Sequence, residues 1–160
     1  MALTPESGRV AVDVRRITSK EFAARIVAGA SGATRLPGGL ILVNSASFAK
    51  SDLETLAELG AVHAVYRHGR VTAIPLPEVR IEFDDPAARA RVHQALARSG
   101  IPHRIESDAG GLVVVSPVSN RGEDALDLAN FVFENARPAT AAPRIVQVVP
   151  RPDQSTTAGR

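Results

Sequence analysis

The chain has 160 residues, with 44% hydrophobic and 22% charged residues, a balance that suits a globular fold of one ordinary or two small domains. With no cysteine there is no disulfide, no thiolate nucleophile and no Cys-based zinc site. The formal net charge is only +2 and the charges are interspersed, which argues against a nucleic-acid footprint.

Val10, Val12 and Val14 alternate with less apolar neighbours and predict a half-buried strand. Thr18-Ser19-Lys20-Glu21 is a capping-box pattern, and Phe22, Ile26, Val27 and Ala30 follow at helical spacing. Leu36-Pro37-Gly38-Gly39 predicts a turn into a strand at Leu40–Val43. Ser51-Asp52-Leu53-Glu54 is a second capping box; Leu53, Leu56 and Ala57 give its helix an apolar face, and Gly60 ends it. Val62–Tyr66 predicts a closing strand, extended by Arg70–Ile74.

The order then begins again. Val79, Ile81 and Phe83 alternate as a strand, and Asp85-Pro86 is an N-cap followed by proline at the first helical position. Ala88, Val92, Ala95 and Leu96 line one helix face, with Gly100 as the stop. Ile105 opens a strand that turns at Asp108–Gly111 and returns through Leu112–Val115. Ala125, Leu128, Ala129, Val132 and Phe133 match the amphipathic helix template. Residues 137–143 read as a Pro/Ala loop, and Ile145–Val149 as the last strand.

The halves are copies of one pattern. Gly38-Gly39-Leu40-Ile41-Leu42-Val43 returns as Gly110-Gly111-Leu112-Val113-Val114-Val115, and each is followed by an acidic amphipathic segment. We therefore expect an α/β (α+β) protein of two tandem ferredoxin-like β-α-β-β-α-β units, each an antiparallel four-stranded sheet with two helices on one face. The expected units are residues 9–75 and 76–150, followed by a flexible tail, 151–160.

The residues offer little chemistry. His63, His68, His93 and His103 show neither i, i+4 metal-binding spacing nor an H-E-x-x-H context, so surface or packing roles are expected. The Gly-rich pieces match neither the dinucleotide fingerprint nor the P-loop. Asp84-Asp85 before Pro86, and Glu123, Asp124 and Asp127, read as helix-start carboxylates rather than acid-base pairs. No G-x-S-x-G elbow occurs. Catalytic residues, cofactors and metals are all expected to be none. The central strands carry no aromatic residue for stacking bases, which argues against RNA. No stretch approaches the ~18 apolar residues of a membrane span. Without a basic-then-apolar leader the chain is expected to be cytoplasmic as given, or secreted if it belongs to a longer precursor. Protein recognition through the open sheet face, an edge strand or the tail is what remains.

Glu78–Phe83 as opening strand, a helix ending at a glycine, Gly111–Val115, the stretch Glu123-Asp124-Ala125-Leu126-Asp127-Leu128-Ala129-Asn130, and a final strand ending Val148-Val149-Pro150 follow one known order. Together they resemble the N-terminal propeptides of bacterial subtilisin-like serine proteases, and the first half, with Val62–Arg67, resembles an extra prodomain copy. The resemblance implies a non-catalytic inhibitor or folding partner of such a protease, in cis or in trans. It implies further that Val148, Val149, Pro150 and Arg151 lead into the partner's substrate cleft. The protease's own catalytic motifs are missing, and Pro150 and Pro152 each remove a backbone donor. The alternative is an adaptor or oligomerisation module that binds another protein through the same open sheet face; a small-molecule-binding regulatory domain is a third reading.

Overall fold

A computed structural model describes residues 3–30 and 32–150. Its elements in chain order are β1 (Thr4–Asp13), α1 (Lys20–Gly29), β2 (Thr34–Arg35), β3 (Leu40–Asn44), α2 (Lys50–Glu58), β4 (Val62–His68), β5 (Val71–Glu82), α3 (Pro86–Arg98), β6 (His103–Ala109), β7 (Leu112–Pro117), α4 (Gly122–Ala136) and β8 (Thr140–Val148). Every strand pairing is antiparallel.

The strands form one sheet in the order β2-β3-β1-β4-β5-β7-β6, with β8 also paired to β5. Within the first half this gives β2-β3-β1-β4, and within the second β6-β7-β5-β8. Both are the strand order of a ferredoxin-like unit, so the fold is a tandem of two such units. The repeat holds at residue level: Leu40 pairs with Asp13 in the first unit, and Leu112 pairs with Glu82 in the second. Both Gly-Gly pairs take left-handed backbone angles, with φ of +79° and +81° at Gly38 and Gly39, and +63° and +80° at Gly110 and Gly111. Glycine adopts these angles without the Cβ penalty that would oppose such a tight reversal.

Strand alternation sorts the core into faces. Val12, Ile41 and Val43 point to one side and pack with Ile26 of α1 and Leu56 of α2. Val79, Ile81, Val113 and Val115 do the same in the second unit beneath Val92, Ala95 and Leu96 of α3 and Ala125, Leu128, Ala129 and Val132 of α4. Each side chain the size of Ile81, fully buried, contributes about 1.5–3 kcal/mol relative to exposure. Ala11 and Leu42 alternate with the first set and point the opposite way. There they join Val65 and Ile74 in a third cluster, with Leu36, Leu76 and Val146 packed against it. The first unit is thus buried on both faces of its sheet, whereas in the second unit Arg80, Glu82 and Ala142 are exposed on the face opposite the helices.

β5 joins the units. Its first residues pair with β4 after a turn at Gly69-Arg70, its last pair with β7, and β8 follows it along both stretches. The expected join between residues 75 and 76 falls inside this strand. The β5–β8 register shifts between Pro75 and Val79. Pro75 and Pro77 have no N–H to give to a ladder, so the strand bulges where they stand.

Several boundaries differ from the sequence reading. The α1 cap is Ser19, which accepts the Phe22 N–H at 3.2 Å, in place of Thr18. Helix α2 starts at Lys50 with Ala49 as an uncapped N-cap, so Ser51 lies inside the first turn and does not cap it. The Pro/Ala loop is shorter than residues 137–143, because β8 begins at Thr140 and contains Pro143. Proline is tolerated there because the other edge of β8 carries no partner strand among the described residues.

Candidate functional site

The segment singled out by resemblance is described only as far as Pro150. Val148 ends β8 opposite Thr72. Val149 is 67% exposed, Pro150 is exposed too, and Arg151 lies outside the described residues, as does the expected tail 151–160. Val148, Val149 and Pro150 do not line the two clefts beside Asp13 and Arg15.

The side chains that do converge belong to another place. A cleft of about 430 Å³ lies where the two units meet, on the side away from the helix-covered cores. The first unit contributes Asp13 at the end of β1, Arg15 and Arg16 from the turn after it, Leu40 from β3 and His63 from β4. The second unit contributes the β5 bulge from Leu76 to Glu78, Arg104 and Glu106 of β6, Ser116 of β7, Asn120 before α4, and Arg144 and Val146 of β8.

The wall on the first unit is built by local constraints. Asp13 is buried and caps the turn that follows it, its Oδ1 accepting the Arg15 N–H at 3.1 Å. The same carboxylate holds the Arg15 Nε at 3.4 Å and the Arg16 Nε at 3.9 Å. Arg15 then lies across the first Gly-Gly turn, where a Cβ on Gly39 would stand 2.7 Å from Arg15 Cγ. A side chain at Gly39 would push the arginine away.

His63 is the most enclosed polar group of the wall, at 1% exposure. Its Nδ1 accepts the backbone N–H of Gly122, the first residue of α4, at 3.2 Å. An accepting Nδ1 leaves the ring proton on Nε2 and the imidazole neutral. Burial pushes its pKa below the ordinary value of 6.5; Asp13 opposes that shift and Arg16 adds to it. Gly122 itself cannot be anything larger without movement, since a Cβ there would lie 1.6 Å from the Pro75 carbonyl oxygen. The N-terminus of α4 is therefore seated on the β5 bulge and on His63 together, which fixes the second unit against the first.

Charge in the cleft is uneven. Four arginines line it against three carboxylates, and the carboxylates are engaged: Asp13 with Arg15 and Arg16, Glu106 with Arg104 at 3.6 Å, and Glu78 with Arg80 at 3.9 Å. Arg80 is not part of the lining. Arg144 has no carboxylate within ion-pairing distance among the described residues. Two ion-pair groups elsewhere, Glu6 with Arg9 and Arg67, and Asp108 with Arg89 and His93, tie neighbouring elements and do not line this cleft.

Sequence reasoning placed His63 in a surface or packing role and gave no role to Arg144, which falls between the expected loop 137–143 and the strand from Ile145. One signal was present: Val62, Ala64 and Tyr66 take one face of their strand, and His63 shares the other with apolar Val65. Among the described residues no three His, Cys, Asp or Glu side chains gather as a metal site, and no helix is long and apolar enough to cross a membrane.

No protein-family model matches the chain, and no curated protein does either. Among solved structures, the ligand-free regulatory subunit of aspartate kinase from Thermus thermophilus is similar over 84% of this chain and 97% of that one, at 16% identity and a TM-score of 0.25. A score that low carries no argument about this protein, and the fold stands on its strand order.

Proposed function

We propose that this chain is a non-catalytic binding module, and in its most specific form a propeptide-like inhibitor or folding partner of a subtilisin-like serine protease. The observation that carries this reading is the exit of the chain from β8. The strand ends at Val148, opposite Thr72, and its continuation starts with a valine 67% exposed and an exposed proline. An extended segment of this kind adds main-chain hydrogen bonds to a receptive edge while its side chains fill pockets. The test is titration of the purified chain into subtilisin with a chromogenic peptide substrate. Tight inhibition that is slowly relieved, and lost on deletion of residues 149–160, supports the protease reading; no inhibition rejects it.

A second reading, an adaptor that binds another protein through the sheet face, is favoured by the charge on that face. Arg80, Glu82 and Arg104 are exposed there, where a face made for an apolar partner would carry few charges. Partner binding that survives the tail deletion and disappears in Arg80→Glu selects this reading over the first.

A further inference from the structure

The cleft between the units goes beyond both readings, although it shares Arg104 with the sheet face of the second. Its volume of about 430 Å³ falls in the range of small-molecule sites, roughly 300–1,000 Å³. Its polar lining comes from both units and includes four guanidinium groups, the side chains best matched to planar, bidentate recognition of carboxylate and phosphate. We propose that this cleft binds a small multivalent oxyanion, bearing carboxylate or phosphate groups, held by Arg144 and Arg104 of the second unit and Arg15 and Arg16 of the first.

The pairing pattern carries the proposal. Glu78 lines the cleft and leans on Arg80 at 3.9 Å, while Arg144 has no carboxylate within ion-pairing distance among the described residues. Arg15 and Arg16 share one buried carboxylate, which offsets a single positive charge of the two. The cleft is left with a net positive charge between low-dielectric walls, and such a cleft concentrates anions. Neutral donors stand alongside. Ser116 and Asn120 carry an O–H and an amide, and His63, with its proton on Nε2, can only donate to an oxygen that reaches that atom. An anion held by arginines of both units would also tie them together, so binding adds to the stability of the whole chain.

The test is thermal unfolding of the full chain in citrate and, separately, in pyrophosphate, each compared with sodium chloride at equal ionic strength. At ten times the dissociation constant a specific anion raises Tm by about 3–6 °C over the chloride reference. A rise with citrate alone, or with pyrophosphate alone, identifies the chemistry. Arg144 is exposed and unpaired among the described residues, so Arg144→Gln is expected to fold with an unchanged Tm in chloride and to lose the rise. Arg104→Gln repeats the test from β6. Arg70→Gln, at the exposed β4–β5 turn, removes the same charge outside the cleft and keeps the rise. The proposal is overturned if neither anion exceeds chloride, or if Arg70→Gln weakens the effect as much as Arg144→Gln, which is general charge screening. Inhibition of subtilisin is read in a separate assay, so either idea can fail without the other.

Discussion

Gly122→Ala puts a methyl group where the structure has the carbonyl of Pro75. The added Cβ would lie 1.6 Å from that oxygen and 2.5 Å from its carbon, against the 3.4 Å at which ordinary contact begins. Both neighbours are backbone, so relief requires α4 to lift off the β5 bulge or the bulge to move. Overpacking of this kind costs about 1–3 kcal/mol. Lifting α4 also lengthens the Gly122 N–H to His63 Nδ1 bond, and a buried donor and acceptor left apart cost about 1–3 kcal/mol more. Alanine's better helix propensity returns at most ~1 kcal/mol. The net expectation is a loss of about 1–5 kcal/mol, or a Tm lowered by roughly 2–20 °C for a chain of this size, with the middle of the range expected. Urea denaturation followed by circular dichroism, alongside a calorimetric scan, measures it. Gly29→Ala is the reference: its Cβ would meet only the Phe48 ring at 3.5 Å, so it should stay within about 1 kcal/mol of the parent. If Gly122→Ala unfolds with the parent, α4 is not seated on the bulge and the account of how the units are fixed together fails.

Further expectations concern the histidine and the helix ends. Burial holds the folded-state pKa of His63 below its ordinary 6.5, so the unfolded chain binds the extra proton first. This contribution to stability is complete above about pH 6.5 and declines as the pH falls toward the folded value, a loss to be read from urea midpoints at pH 7.5 and pH 5. His63→Asn, whose Oδ1 can accept the Gly122 N–H in place of Nδ1, should flatten that slope, and an unchanged slope would assign it to other groups. Ser19→Ala should cost about 0.5–2 kcal/mol through the lost α1 cap, whereas Thr18→Ala should be nearly silent; the reverse order in a denaturation series would restore Thr18 as the cap. Arg137 caps α4 with a left-handed φ of +50°, so Arg137→Gly should raise stability by about 0.5–1 kcal/mol, and a lower Tm would contradict the strain argument.

Much of the fold could be read from the chain because local signals agreed. Asp85 accepts the Ala87 N–H ahead of Pro86, as the dipeptide implies, and the five-position stripe from Ala125 to Phe133 lies on one helix. Val132 in that stripe is fully buried, although Phe133 remains 44% exposed. What escaped depends on contacts distant in sequence. Thr34-Arg35 forms a strand only because β3 is beside it, and two residues carry no periodicity of their own. Pro143 looks like a breaker until its strand is known to lie at an edge. The continuous apolar runs Leu40–Val43 and Leu112–Val115 look alike, yet Leu42 is 5% exposed while Val114 is only half-buried. The difference is set by what lies across the second face, and Val146 is more than a hundred residues from Leu42 along the chain. The cleft is hidden for the same reason, since Asp13, His63, Glu78 and Arg144 share no motif and meet only through β5.

The third core cluster has a consequence for the order in which this protein is made. Ala11 and Leu42 emerge early in synthesis, but the cluster that buries them also includes Ile74 and, from β8, Val146. A nascent chain that has completed β4 owns every strand of its first unit and still leaves one side of that sheet wet. It must wait, with an apolar surface open to water or to a chaperone, until β8 threads along β5. The protein is a repeat in pattern and a single object in assembly: the final strand is the latch, and the first unit is not finished until the second is.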